Sequence, residues 1–313
     1  MRYRFPVALL AAGFFFGHVP DASAQGPPIN TDTAFVNGLQ GAAVRSFVFS
    51  VSRSGLVRDG EDIVDPSNRE LSIFAIPIIV PYEVVKNKLD IVGGVPVLYK
   101  RMAFTENGNR HELTNSGLGD LFVLAKYLFL QRDRPGQTTR MAAVARIKFP
   151  TAEDDKTDAQ GNPLPRPLQL GTGSVDYSAG IIFTHVVRRI GFNADLVYTF
   201  NTEADGFAFG DTLKYDVAVG YRLAPREYIT YPTRQWNAYL ELNGQFSRKN
   251  TLNGVALPDS GGNVTFLSPG IQFIPYSTFL VEASLRIPVI QNLNGTQLKF
   301  QPAFTVGFRW LIF

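Results

Sequence analysis

Beyond residue 18 the sequence holds two imidazoles, His111 in Asn109-Arg110-His111-Glu112 and His185 in Thr184-His185-Val186. A serine nucleophile needs its general base within hydrogen-bond reach. Ser116 and Ser174 are the hydroxyls that folded loops would have to bring to His111, and no motif around either suggests it. The chain has no cysteine, which removes thiolate nucleophiles, disulfides and thiolate metal sites. Two distant histidines do not compose a metal-ligand set. These residues point away from an enzyme and from a bound cofactor or metal.

Charge, by contrast, recurs at regular positions. Asp176, Asp195, Asp216, Glu241 and Glu282, with Arg140, Arg146, Lys148, Lys214, Arg222 and Arg286, fall on the polar phase of alternating segments. Asp120 and Lys126 join them, and Tyr239 shares the phase between Asn237 and Glu241. Strands send successive side chains to opposite faces. Ile190, Phe192, Ala194, Leu196, Tyr198 and Phe200 alternate with Gly191, Asn193, Asp195, Val197 and Thr199. The same pattern runs through 174–184, 212–223 and 235–246. A helical period would scatter the charges onto the apolar face. If the apolar face meets lipid, the charges line a lumen. There they either form an ion-pair-lined solute path, with near-balanced signs and no strong ion selectivity, or simply fill a polar interior. Tyr239 either stacks on an aromatic solute or is filler.

The elements that must position these residues follow from the same periodicity. Arg2 and Arg4, the apolar run 7–17 and Ala22-Ser23-Ala24 read as an export signal. The expected organisation is a cleaved signal at 1–24, an N-terminal lead-in at 25–44 that hangs free or tucks into the lumen, and a barrel at 45–313. No later stretch approaches the ~20 apolar residues of a membrane helix, and mean hydropathy is +0.00. Phe, Tyr and Gly are abundant, at 25, 12 and 28, and a net charge of +3 is too mild to suggest a nucleic-acid partner. Trp236 to Phe246 spans roughly 25 Å of height at a barrel's strand tilt, with an aromatic at each end. Weaker strands lie near 45–53, 71–81, 88–101, 117–130, 139–149, 264–274, 278–288 and 298–313. Pro77, Pro96, Pro269 and Pro302 fall inside them, so bulges or strand ends are expected there.

Twelve strands give periplasmic termini. Short turns then fall at 82–87, 131–138, 185–189, 224–233 and 275–277. Longer outer loops fall at 54–70, 102–116, 150–173, 201–211, 247–263 and 289–297. The 150–173 loop carries Glu153-Asp154-Asp155 and Asp158, then Pro163-Leu164-Pro165-Arg166-Pro167. Its acidic run either binds cations that bridge lipopolysaccharide or is solvated. Its stiff Pro-rich half is placed to fold inward as a constriction. The fold class read from the sequence is all-β: a transmembrane up-and-down antiparallel barrel of about twelve strands.

Gly117-Leu118-Gly119-Asp120, Lys148-Phe149-Pro150-Thr151 and Gly171-Thr172-Gly173-Ser174-Val175-Asp176-Tyr177 carry a more specific signal. With the whole-chain layout, they resemble the family named for a putative MetA-pathway of phenol degradation. The resemblance implies an outer-membrane transporter and favours small hydrophobic or aromatic cargo. The terminal alternation Phe304, Val306, Phe308, Trp310, Ile312, ending at Phe313, resembles the signal read by the outer-membrane barrel assembly machinery. The expected partners are that machinery, outer-membrane lipid and lipopolysaccharide, and a small-molecule solute. The expected role is passive uptake through a barrel in the bacterial outer membrane. The alternatives are a structural, non-transporting barrel and a lipid-modifying or proteolytic barrel.

Overall fold

The computed structural model describes residues 26–37, 42–228 and 233–312. The expected signal at 1–24 and the terminal Phe313 lie outside the described residues. Twelve strands follow one another: β1 Ala42–Arg58, β2 Glu70–Val85, β3 Leu89–Glu106, β4 in two pieces Asn109–Leu118 and Phe122–Arg134, and β5 Gln137–Lys148. Then come β6 Asp176–Val187, β7 Ile190–Phe200, β8 Thr212–Ala224, β9 Gln235–Ser247, β10 Gly262–Tyr276, β11 Phe279–Leu293, and β12 in two pieces Thr296–Phe300 and Ala303–Ile312. Each pairs antiparallel with the next. The sheet closes where β1 pairs with β2 on one side and with β12 on the other, from Ala42↔Ile312 to Phe49↔Thr305. Closure satisfies every strand edge, which a bilayer demands.

The outer surface is apolar. Phe192, Leu196, Tyr198, Val217, Val219, Leu240, Leu242, Ile271, Val281 and Val306 are all exposed on it. Aromatics ring both ends: Tyr127, Tyr221, Trp236, Tyr276 and Trp310 at one, Tyr99, Tyr177, Phe200 and Phe246 at the other. Exposed apolar bands between two aromatic girdles are the signature of a lipid-facing barrel wall. Among the described residues, no helix is long and apolar enough to cross a membrane; the strands do so.

The four prolines expected to interrupt strands each sit where a ladder lapses. Pro77 and Pro96 oppose each other. On its other side, Pro77 falls in the interval between Ser46↔Ile78 and Phe49↔Ala75, which β1 leaves unpaired. Pro96 faces the break in β4, where Gly119 donates to its carbonyl at 2.7 Å. Pro269 lies between Leu267↔Ile287 and Gly270↔Ser284. Pro302 divides β12. A residue without an N–H costs nothing where no ladder bond is made.

The outer loops are shorter and more ordered than their sequence suggests. The expected loop 102–116 is instead a hairpin, turned by Asn107 (φ 50°) and Gly108 (φ 80°). Both residues take the positive φ of a two-residue turn. His111 therefore lies in β4, stacked on Phe104 at 5.5 Å, and not in a loop. Of the 54–70 stretch, β1 takes residues up to Arg58 and a short strand Glu61–Ile63 pairs back onto it. The 201–211 and 248–261 segments form two hairpins that join as a four-stranded sheet.

Tyr215 lies flat over Gly244, its ring 2.1 Å from where a Cβ would stand. Its hydroxyl bonds Asn263 Oδ1 at 2.8 Å and Thr265 Oγ1 at 2.9 Å, so the ring cannot yield. Gly244→Val is expected to lower barrel stability by about 1–3 kcal/mol through overpacking. The measurement is a shift of the urea unfolding midpoint in lipid or detergent.

Candidate functional site: the plugged lumen

Inside the wall, residues 26–37 run across the barrel. They enter beside β9 and β10, rise to Glu241 near mid-height, pass β7 and β6, and descend to Asp90 of β3. Glu241 is fully buried. Its carboxylate accepts the amides of Ile29 (2.9 Å), Asn30 (3.0 Å) and Thr31 (2.7 Å), and the Thr31 hydroxyl at 2.7 Å. Three successive amides around one carboxylate form an anion nest. A buried charge is tolerated when so compensated.

The remaining contacts are of the same kind. Asp32 N donates to Asp195 at 2.7 Å, Ala34 N to Thr184 Oγ1 at 2.8 Å, and Asn37 N to Asp90 at 3.0 Å. The carbonyls are taken as well. Tyr239 hydroxyl donates to Gly26 O at 2.5 Å, Gln272 to Pro27 O at 3.0 Å, Arg309 to Pro28 O, Arg45 to Ile29 O at 2.6 Å, and Lys126 to Thr33 O at 3.0 Å. Glu282 binds Arg309 at 3.1 Å and Arg45 at 3.4 Å, fixing both guanidiniums toward the segment. Ala34 packs in a small apolar core with Ala142, Val144 and Ile182, and Arg140 covers the Phe35 ring at 4.7 Å.

The residues singled out from the sequence thus divide into groups. Asp195, Tyr239, Glu241, Arg140 and Lys126 meet the N-terminal segment, and Glu282 reaches it through Arg45, Arg309 and Gln272. Lys214 joins Asp195 (3.4 Å) and Asp216 (2.6 Å) beside it. Arg222 lies under Tyr228 at 4.3 Å, toward the end where the termini lie.

Lys148 and Asp176 belong to a separate knot. Asp120 accepts the amides of Thr151, Ala152 and Thr172, each at 3.1 Å. Lys148 bridges Asp120 (3.0 Å) and Asp176 (2.7 Å), and Ser174 donates to Asp176 at 2.9 Å. The Gly-rich motifs therefore tie both ends of the 149–175 loop together. Gly171 has no room for a side chain, since a Cβ would stand 2.5 Å from Ala152 O.

The loop so held folds over the outer mouth. Leu164 and Leu168 pack on the inward-facing Leu71, Ile73, Met102, Leu113 and Leu298. Asn115 donates to Leu168 O at 3.1 Å. At its tip, backbone amides from Asn162, then Gln160 and Gly161, hold the Asp158 carboxyl below its ordinary range. That turn is held at neutral pH and loosens as pH falls through the lowered value.

Between plug and loop, arginines lie on aromatic faces. Arg286 sits between Phe49 (4.5 Å) and Phe266 (4.3 Å), Arg53 over Phe300 (3.8 Å), and Arg146 over Phe122 (5.0 Å). One wall of the lumen at this height is apolar but for Lys100, which donates to Gln169 O. The inward phase of β2 is Leu71, Ile73, Ala75, Pro77 and Ile79, paired with Met102, Lys100, Leu98, Pro96 and Gly94. Sequence reasoning missed this wall, and it missed Arg45, Arg309 and Asp90; Thr184 it placed on the polar phase of 174–184 without a role. The continuous apolar run 73–81 was its available signal, because a strand apolar on both faces needs a dry neighbour on each. Arg309 stands in the gap of the Phe308/Trp310 alternation and was readable the same way.

The histidines are far from each other's chemistry. His185 faces outward and shares a 2.8 Å hydrogen bond with Thr139. Ser174 bonds Asp176 rather than an imidazole.

Glu241→Ala leaves three buried amides without an acceptor, at about 1–3 kcal/mol for each unsatisfied group. The N-terminal segment is expected to leave the lumen. Because the chain has no cysteine, Ala34→Cys gives a unique thiol. It should resist a polar maleimide in the parent and react in the Glu241→Ala background.

The comparisons with known proteins fit this geometry. Among solved structures, the COG4313 outer membrane channel from Pseudomonas putida F1 aligns with a TM-score of 0.62 and 12% identity, over 87% of this chain and 96% of that one. The β domain of the Bordetella autotransporter BrkA (TM-score 0.43, 9% identity, 86% and 100% coverage) and a Pseudomonas aeruginosa FadL homologue (0.37, 11%, 93% and 91%) are looser likenesses. No curated protein matches the chain. Residues 64–288 match the family described as Putative MetA-pathway of phenol degradation, and the chain belongs to that family.

Proposed function

We propose that this barrel is an outer-membrane channel for passive entry of small molecules, and that small aromatic or hydrophobic compounds are its cargo. The observation that carries the reading is the set of side chains facing inward above the plug. Its apolar β2–β3 wall and its guanidinium–aromatic pairs offer faces on which a planar ring can stack. The family's description supports the same class, as does the likeness to a protein titled an outer membrane channel. Passage is diffusive. A solute enters past the 149–175 loop, rests against Arg286, Phe266 and Phe49, and leaves when residues 26–37 yield. In this reading an even strand count leaves both termini in the periplasm. Export would use the N-terminal signal, and insertion the C-terminal strand. The density of bonds that hold the plug favours a second reading, a closed barrel with a structural role.

Planar-bilayer recording separates the two. The full chain is expected to show small conductance steps that a phenolic solute blocks. Deleting residues 26–37 should enlarge the steps several-fold. Arg286→Ala should weaken the phenolic block ~5-fold by loosening the Phe49 and Phe266 rings that the guanidinium holds in place. Silence from both full and deleted chains, in barrels shown folded by heat-modified gel mobility, would favour the structural role.

A further inference from the structure

Exposed cations on the barrel differ in whether a carboxylate answers them. At the end bearing the long loops, Arg69, Arg101, Arg110, Arg248 and Lys299 each pair with a carboxylate, at 2.6–3.4 Å. At the end bearing the termini, Arg132 and Arg134 near the tip of β4 and Arg188 on the β6–β7 turn are exposed. None of these three side chains makes a hydrogen bond or ion pair with any described residue. The nearby carboxylate of Asp133 is already taken by Gln131, Thr138 and Arg140, at 2.5, 2.8 and 3.1 Å.

Register puts these cations on the lipid side. Arg132 pairs with Thr139 and Arg134 with Gln137. Thr139 in turn pairs with the outward-facing His185. Arg132, Arg134, Gln137 and Thr139 line a pocket of about 190 Å³. The Arg188 stem reaches to 3.9 Å of the position a side chain on Gly136 would occupy, at the same turn. Directly up the wall stand Tyr127 and Phe129, both exposed to lipid. A guanidinium pair at headgroup depth, beneath an apolar wall, matches a phosphate with acyl chains attached.

We propose that this rim is a binding site for the phosphate headgroup of an anionic phospholipid in the periplasmic leaflet. Arg132, Arg134 and Arg188 hold the phosphate, Gln137 and Thr139 add polar contacts, and the acyl chains lie along Tyr127 and Phe129. The charge on the site is matched by the lipid's net negative charge, which a zwitterionic headgroup lacks. The proposal rests on the membrane-spanning fold and is independent of what the lumen carries.

Native mass spectrometry of the full chain in detergent tests it, with phosphatidylglycerol and phosphatidylethanolamine added in equal amounts. Phosphatidylglycerol adducts are expected to exceed the zwitterionic ones at least ~3-fold. Arg132→Gln/Arg134→Gln/Arg188→Gln should abolish that preference, while Arg248→Gln at the opposite end leaves it intact. The three side chains are exposed, and Arg134→Gln alone, expected to reduce the preference, serves if the triple variant does not fold. Equal adducts in the parent, or an unchanged preference in the folded variant, would overturn the site. Loss of the lipid adducts to millimolar inorganic phosphate would also overturn it, by showing that the free anion is the ligand.

Discussion

A carboxylate buried in the middle of a barrel has to be neutralised, and Glu241 is neutralised by the chain's own backbone. The amides of Ile29, Asn30 and Thr31 converge on it. That one interaction fixes the height at which the N-terminal segment crosses the lumen. From there the rest is geometry: Asp195 meets Asp32, Thr184 meets Ala34, and Asp90 meets Asn37. The carbonyls on the other side of the segment fall to Arg45, Arg309 and Gln272. The barrel interior is thus a peptide-binding surface. Its ligand is covalently attached, so its effective concentration is high and its loss from the site is reversible.

Much of the wall was legible because lipid enforces it. A β7 residue on the wrong face would put Asp195 into hydrocarbon or Phe200 into the lumen, so the alternation of 190–200 is strict and readable. β2 was harder to read. Its inward residues Ile73, Pro77 and Ile79 are apolar too, and a strand apolar on both faces carries no period of two. The Asn107-Gly108 turn was present in the sequence as a plain hairpin signal. The flanking residues Thr105-Glu106 and Asn109-Arg110 are polar on both faces, because that hairpin stands clear of the bilayer, and they read as loop.

The site was legible in part for a related reason. Strand phase sends Asp195, Glu241 and Glu282 inward, but phase says nothing about what they bind. The partner is a stretch with no period of its own, Gly26-Pro27-Pro28-Ile29-Asn30-Thr31, whose contacts are made by backbone amides and carbonyls that every sequence possesses. The two Gly-rich motifs gave the reverse case. They were visible as motifs, yet their work, tying the 149–175 loop through Asp120, Lys148 and Asp176, appears only when residues distant in sequence meet.

The plug and the loop are two pieces of chain folded into the interior, one at mid-height and below, the other at the mouth. Both are set by hydrogen bonds to buried charge, and whether the lumen can open depends on how firmly the lower one holds. Hydrogen–deuterium exchange at the amides of Ile29, Asn30 and Thr31, in the folded barrel in lipid, measures this directly. Exchange as slow as that of the barrel strands is what the account predicts. Exchange at the rate of an unstructured peptide would contradict it, because Glu241 would then be held by something other than the N-terminal segment.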